Sequence, residues 1–279
     1  MTGATASTLT AGDFEFVRAL VHEHAAIVLE PSKTYLVESR LAPLVRAIGA
    51  DSIGDLVARL RTGHDAQQLR RRVVDAMTTN ETSWYRDLSP FEALETTILP
   101  QLIAARQETR ALNIWSAACS SGQEPYSVAM LLRERFPQLA GWNVRIIATD
   151  ISAEMLGRAA AGTYSQLEVN RGLPSAHLVK YFTRRGASWQ IRDDIRAMVE
   201  FRAMNLAQPW GFLPPIDVLL LRNVLIYFDV ATKREILRRA REVLRPDGYL
   251  LLGTAETTLS IDDAFTRVTV GRTTVYQAA

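Results

Sequence analysis

The sequence predicts an α/β protein: an open, Rossmann-like parallel sheet with a small antiparallel β insertion, preceded by an all-α N-terminal domain. Three observations carry this. Residues 111–130, ALNIWSAACSSGQEPYSVAM, read as a buried strand that stops at a small-residue turn and restarts as a helix. Residues 214–221, PPIDVLLL, are continuously apolar rather than alternating, as a strand buried on both faces must be. Residues 13–77 show helical spacing with no strand alternation.

Taking the chain in order, Phe14, Val17, Val21 and Val28 recur at helical spacing, as do Leu36, Leu41, Leu44 and Ile48. Pro31-Ser32 and the stretch 49–52 punctuate these helices. Ser52 followed by Asp55 resembles a capping box with aspartate in the glutamate's place, and Pro43 predicts a kink. Between Lys33 and Arg72 stand eight basic residues (Lys33, Arg40, Arg46, Arg59, Arg61, Arg70, Arg71, Arg72) and four acidic ones (Glu38, Asp51, Asp55, Asp65). The plainer meaning is a solvated helix surface; the functional one is a docking face for an acidic partner. The expected domains are 1–77, helical, and 91–279, with 78–90 a linker that contributes to the active site. That linker carries Trp84, Tyr85 and Arg86 together. Packing can account for the aromatic pair, but least easily for Arg86.

In the turn after the first strand, Ala117, Ala118, Ser120, Ser121 and Gly122 allow a ligand to approach the backbone between Ala118 and Gly122, and Pro125 suits the first turn of a helix. A dinucleotide turn requires G-x-G-x-x-G, and only Gly122 is present, so a ligand without phosphates is favoured. S-adenosyl-L-methionine is such a ligand. The acid expected to hold its ribose hydroxyls is Asp150, which closes the next strand, VRIIATD. A helix over 152–160 follows, and an insertion over about 171–204 then interrupts the strand–helix rhythm. There Trp189 to Arg192 and Met198 to Met204 predict an antiparallel hairpin about the turn Asp193-Asp194. It ends at Asn205-Leu206. Residues 222–227 follow the carboxyl end of the 214–221 strand, where open parallel sheets bind ligands. A helix over 233–244, a strand over 249–253 and a closing hairpin (265–270 with 273–276, across Gly271-Arg272) complete the chain.

With 279 residues, 48% of them hydrophobic, the chain can bury a sizeable core. Thirty-two basic residues against 30 acidic ones argue against bulk attraction to nucleic acid or membrane. No apolar run approaches the ~18 residues of a membrane span, and the first 14 residues lack a secretory leader's charged and apolar regions, so a cytoplasmic protein is expected. A single cysteine, Cys119, excludes an internal disulfide and a multi-cysteine metal site; its simplest role is a small buried residue, and no metal is expected.

Asn80-Glu-Thr82 with Arg86, CSSGQEPYS at 119–127, ATDIS at 148–152 and RNVLIYFD at 222–229 together resemble the chemotaxis receptor methyltransferases of CheR type, in order over residues 13–277. The family usually has glycine at Ala118, threonine at Ser121 and glutamate at Gln123, departures that bear on affinity more than on identity. The resemblance implies a class I S-adenosylmethionine-dependent methyltransferase fold. It further implies methyl transfer to glutamate side chains of membrane chemoreceptors, giving glutamyl methyl esters and S-adenosyl-L-homocysteine. Arg86 and Tyr227 match positions beside the transferred methyl, and Asn80, Thr82, Arg86, Glu124, Asp150, Asn205, Leu206, Leu221 and Arg222 would line the cofactor site. Its partner would be the receptors' cytoplasmic helical domain, met by a monomer without membrane insertion. Members that dock a receptor's C-terminal tether do so on the hairpin's edge. Residues 182–189 lack the longer glycine-rich loop of those members, so methylation without a tether is expected.

Other acceptors fit less well. Leu213-Pro-Pro-Ile216 lacks the polar and aromatic residues of the turn used by exocyclic-amine methyltransferases, and Cys119 follows alanine rather than the proline of cytosine-C5 enzymes. Nucleic acid is therefore not expected. A non-catalytic cofactor-binding or receptor-docking regulator, and a small-molecule O-methyltransferase, are the alternatives. The pair Arg86 and Tyr227 argues against the first and the basic head against the second.

Overall fold

The computed structural model describes residues 9–278; the first eight residues of the expected helical domain, most of the segment without leader features, and residue 279 lie outside the described residues. Contacts divide the chain into two units: Met1–Thr79 with Tyr227–Asp229, and Asn80–Ile226 with Val230–Ala279.

In the first unit, four helices pack on one another: α1 (Ala11–Ala25), α2 (Thr34–Ala47), α3 (Ile53–Thr62) and α4 (Ala66–Met77). Val17, Val21, Val37, Leu41, Leu56, Leu60 and Val73 are fully buried where they meet. Each such side chain contributes roughly 1.5–3 kcal/mol by leaving water. Ser52 caps α3 by accepting the Asp55 N–H at 3.1 Å, while the Asp55 carboxylate reaches back to the amide of Asp51 rather than of Ser52. The box therefore closes one residue early. Helix α2 continues through Pro43. Four of the eight basic residues between Lys33 and Arg72 are engaged locally: Arg59 binds Asp55 and the Ile48 and Gly49 carbonyls, Arg40 the Met77 carbonyl and Thr79, Arg70 the Leu60 carbonyl, and Arg61 lies over the Phe16 ring. Arg46, Arg71 and Arg72 are exposed. Residues 227–229 join this unit by a bridge between Ile27 and Phe228 and a bond from the Val28 N–H to the Tyr227 carbonyl.

The second unit begins with α5 (Ser89–Ala93), a π-helical turn (Leu94–Ile98) and α6 (Leu99–Ala105). Then follow β1 (Ala111–Ala117), α7 (Gln123–Arg135), β2 (Asn143–Asp150), α8 (Ala153–Ala161), β3 (Thr163–Ser165), α9 (Gln166–Val169), α10 (Ser175–Tyr181), β4 (Phe182–Arg185), β5 (Ser188–Ile191), α11 (Asp193–Arg196), β6 (Val199–Ala203), β7 (Ile216–Leu221), α12 (Val230–Val243), β8 (Leu244–Leu252), β9 (Phe265–Val270) and β10 (Thr273–Ala278). Seven strands form the main sheet in the order β6-β2-β1-β7-β8-β10-β9, parallel from β6 to β8 and antiparallel at the closing hairpin. Between β1 and β7 the chain order reverses, which makes their carboxyl ends the crevice of an open sheet. Register aligns that edge: Ala117 lies beside Thr149 and Leu221, Leu221 beside Leu252, and Asp150 beside Ala203.

The insertion differs from the hairpin expected between Trp189 and Met198. Strand β5 pairs instead with β4, and with β3 on its other side, forming a separate three-stranded antiparallel sheet. The segment read as the hairpin's second strand is β6, which runs parallel to β2 on the edge of the main sheet. Asp193 and Asp194 open the short helix α11 rather than a turn. Strand β6 follows the register of β2 because Val199 and Phe201 pack against the α7 and α8 side of the core.

Candidate active site

The small-residue turn after β1 is shaped by backbone conformation: Ala118, Ser120 and Gly122 have φ of 58°, 49° and 92°. Gly122 is required, since a Cβ there would come within 2.9 Å of the Ala159 Cβ. Two neighbouring elements pin the turn. The Ser120 N–H donates to the Asp150 carboxylate at 2.8 Å, and the Ser120 hydroxyl to the Asn80 carbonyl at 2.9 Å. Asp150 also accepts the Ser152 N–H at 2.9 Å. Burial pushes the Asp150 carboxyl above its usual range, against the pull of these amides. A carboxylate has about four acceptor positions, and with the Ile151 amide also acting on Asp150, acceptor capacity still remains for a hydroxyl group.

Glu124 and Arg222 form the second half of the site. One Glu124 oxygen accepts the Ser116 hydroxyl at 2.7 Å and the other an Arg222 N–H at 2.9 Å. Burial pushes this carboxyl up, and the charges of Arg222 and Arg86 oppose the rise. Arg222, with its side chain 1% exposed, also donates to the Asp87 carboxylate at 2.8 Å and to the Arg86 carbonyl at 2.7 Å. Its side chain is thus a clamp on residues 86–87. The Arg86 guanidinium donates to the Glu81 carbonyl at 3.0 Å, which takes one of its five N–H groups.

Around the rest of the edge, the Met204 N–H donates to the Asp150 carbonyl and leads to Asn205, whose side-chain oxygen accepts the Ala207 N–H. The Leu206 carbonyl accepts the Trp210 indole N–H at 3.1 Å, and that indole stands edge-on to Trp115. Leu221 is buried at the end of β7, Thr82 is half-buried, and Ala118 is half-buried on the turn. The second unit therefore gathers Asn80, Arg86, Ala118, Gly122, Glu124, Asp150, Asn205, Leu206, Leu221 and Arg222 about one sheet edge. Tyr227 belongs to the helical unit.

Comparison with known proteins decides the family. The model of the CheR methyltransferase SAM-binding domain matches residues 80–274, and that of the CheR methyltransferase all-alpha domain matches residues 12–78. The chain belongs to the CheR methyltransferase family. "Chemotaxis protein methyltransferase 1" of Pseudomonas aeruginosa is 45% identical over 271 residues, 95% of this chain and 97% of that one. "Chemotaxis protein methyltransferase Cher2" of Pseudomonas putida is 41% identical, covering 95% and 98%. A "Chemotaxis protein methyltransferase" of Vibrio anguillarum is 40% identical, covering 98% and 99%.

For a CheR methyltransferase the cofactor is S-adenosylmethionine, and the donor set fits it. The turn presents small residues, Asp150 keeps acceptor capacity for ribose hydroxyls, and the turn has one glycine where a pyrophosphate would need three. Sequence reasoning missed Asp87 and Glu256. The Glu256 carboxylate accepts backbone N–H groups of Asn223, Val224, Ile226 and Gly253 at 2.6–3.3 Å, which fixes the segment after β7. The available signal was an acid three residues past the glycine that ends a predicted core strand.

Proposed function

We propose that the protein transfers the methyl group of S-adenosylmethionine to the side-chain carboxylate of glutamates on the cytoplasmic helical domain of chemoreceptors. The observation that carries this reading is Arg86, held at the sheet edge by its carbonyl and beside the charge of Glu124, with guanidinium donors to spare. The names and full-length similarity of the relatives support the receptor as substrate.

When bound, S-adenosylmethionine supplies an electrophilic methyl on a sulfonium. The acceptor glutamate is ionised at neutral pH, its reference pKa being about 4.3, so no general base is needed. The work of the protein is alignment. Asp150 holds ribose hydroxyls, the 118–122 turn lets the cofactor meet backbone, and Arg86 orients the incoming carboxylate by a charge-assisted bond. The part given to Tyr227 rests on the RNVLIYFD motif. Residues 1–77 act as the receptor-docking domain, with Arg46, Arg71 and Arg72 among its exposed cations, and methylation does not require a receptor tether. The protein acts as a cytoplasmic monomer.

Incubation with methyl-labelled S-adenosylmethionine and a receptor cytoplasmic fragment tests this. Alkali-labile label released as methanol is expected; alkali-stable label would mean N-methylation and overturn the ester.

A further inference from the structure

Arg86 sits in a backbone conformation that its neighbours do not favour. Tyr85, Asp87 and Leu88 have φ of 47°, 66° and 44°, three positive-φ residues without a glycine among them. Such a loop persists only where its surroundings over-determine it. Arg222 holds the side of Arg86 and Asp87. The other side is held by the crossover between β2 and β6. There the Trp84 N–H donates to the Arg171 carbonyl at 3.0 Å, and Gly172 lies so close that a Cβ would come within 2.2 Å of the Trp84 carbonyl oxygen. Tyr85 is then fixed from both ends. Its N–H donates to the Ser127 hydroxyl at 3.2 Å, and its phenol is bonded to His177 Nδ1 of α10 at 2.9 Å.

The phenol is the weak point of this arrangement. Tyr85, Leu88, Gly172, Pro174 and His177 all line one cavity of 560 Å³, so the ring has open space beside it. Edge contact with Phe91 at 5.1 Å steadies the ring, but among the described residues the directional bond at the phenol oxygen comes from His177. Freed from it, the ring can swing into the cavity, and residues 85–88 can relax toward negative φ. That relaxation would carry the Arg86 guanidinium with it.

We propose that His177, acting through Tyr85, is a positioning residue for Arg86, so that the small β insertion's helix α10 sets the geometry of methyl transfer. This rests on the reading of Arg86 as the residue that orients the substrate carboxylate. A displacement of about 1 Å at such a contact is enough for a ~10²-fold loss of rate, and a partly populated displacement for a smaller one.

The test uses the full chain with His177→Phe, Tyr85→Phe, the double variant and His177→Gln, which keeps an acceptor for the phenol. Amide exchange of a peptide covering 83–88 is measured beside turnover and KM for S-adenosylmethionine. His177→Phe and Tyr85→Phe should each speed exchange in that peptide about tenfold, as expected for a locally opened segment. Each should lower turnover at saturating cofactor about tenfold with KM within about twofold, the signature of lost orientation rather than lost cofactor binding. The double variant should be no worse than either single one, and His177→Gln should regain most of the turnover. Unchanged exchange in both single variants, or losses that multiply in the double variant, would overturn the proposal. Faster exchange with turnover intact would uphold the His177 clamp and remove Arg86 from the substrate carboxylate, so the two readings fail separately.

Discussion

Arg222 donates a hydrogen bond to the main-chain carbonyl of Arg86 across 2.7 Å, which ties the end of β7 to the loop that precedes α5. The same guanidinium is ion-paired with both Glu124 and Asp87. Removing one member of a buried ion pair leaves its partners unpaired, at about 3–5 kcal/mol. Arg222→Met should therefore destabilise the protein by about that amount in urea denaturation, discounted for the partial exposure of Asp87. Arg222→Lys should recover only part of it, because an ammonium cannot span three acceptors in the planar fork.

Asp150 and Arg86 should fail differently. Asp150→Asn keeps one backbone acceptor but turns an NH₂ toward an N–H, and it removes charge from the ribose contact. Since a charge-assisted bond is worth about 1.5–3 kcal/mol, binding of S-adenosylmethionine and S-adenosylhomocysteine should weaken alike, by roughly 10- to 100-fold, with turnover nearly kept at saturation. Arg86→Ala should instead lose turnover on the order of 10²-fold. Calorimetric titration and saturating-cofactor kinetics on both variants separate the two effects.

Ala118 holds φ of 58°, a conformation that costs an alanine about 1 kcal/mol and a glycine almost nothing. Ala118→Gly should therefore leave the melting temperature unchanged or raised, against the fall of about 1 kcal/mol that this exchange brings inside a helix. A clear loss of stability would show that the methyl group makes a contact worth more than the strain.

Burial lowers the pKa of His177, with Lys180 and Arg135 adding to the effect and Glu134 of α7 opposing it. The unfolded chain then takes up the proton first as pH falls. The contribution of neutral His177 is complete above its unfolded value of about 6.5 and is lost as pH drops through that value to the folded one. Thermal unfolding between pH 5 and 8 should show a shallower acid-side decline in His177→Phe than in the parent.

Salt should separate docking from cofactor binding. Arg46, Arg71 and Arg72 are exposed, so if the head docks as proposed, salt screens its attraction to an acidic receptor bundle, with a Debye length near 10 Å at 0.1 M salt. Receptor methylation should fall with ionic strength while S-adenosylmethionine affinity holds. Arg71→Glu with Arg72→Glu should flatten the response. Parallel loss of both activities would remove the docking role.

Local signals made much of this molecule legible. The continuous apolar runs ending in Ala117 and Leu221 announced parallel strands, and the place of Asp150 at the end of β2 was visible because an acid closes that apolar run. What escaped was pairing at a distance. The strand at Trp189 has two neighbours, at Thr163 and Phe182, and a four-residue strand carries no mark of which one it joins. Strand β6 alternates apolar and polar residues as an insertion hairpin would, yet it lies on the main sheet because its partner, β2, is some fifty residues away in sequence. The clamp formed by Asp87, Glu124 and Arg222 joins residues that show no common spacing. Residues 227–229 joined the helical unit through backbone bonding, to which side-chain patterns are blind.

Glu256 grips the segment after β7 by its main chain, through the amides of Asn223, Val224 and Ile226, and joins it to the amide of Gly253 just after β8. The shape of that segment is therefore written partly in a residue some thirty positions downstream, beside the buried Leu225 side chain. Val224 is half-exposed and Ile226 exposed, apolar and uncommitted. Such side chains can be exchanged without redrawing the backbone beneath them, so the chemistry of that surface and the persistence of the fold are separable within a few consecutive residues.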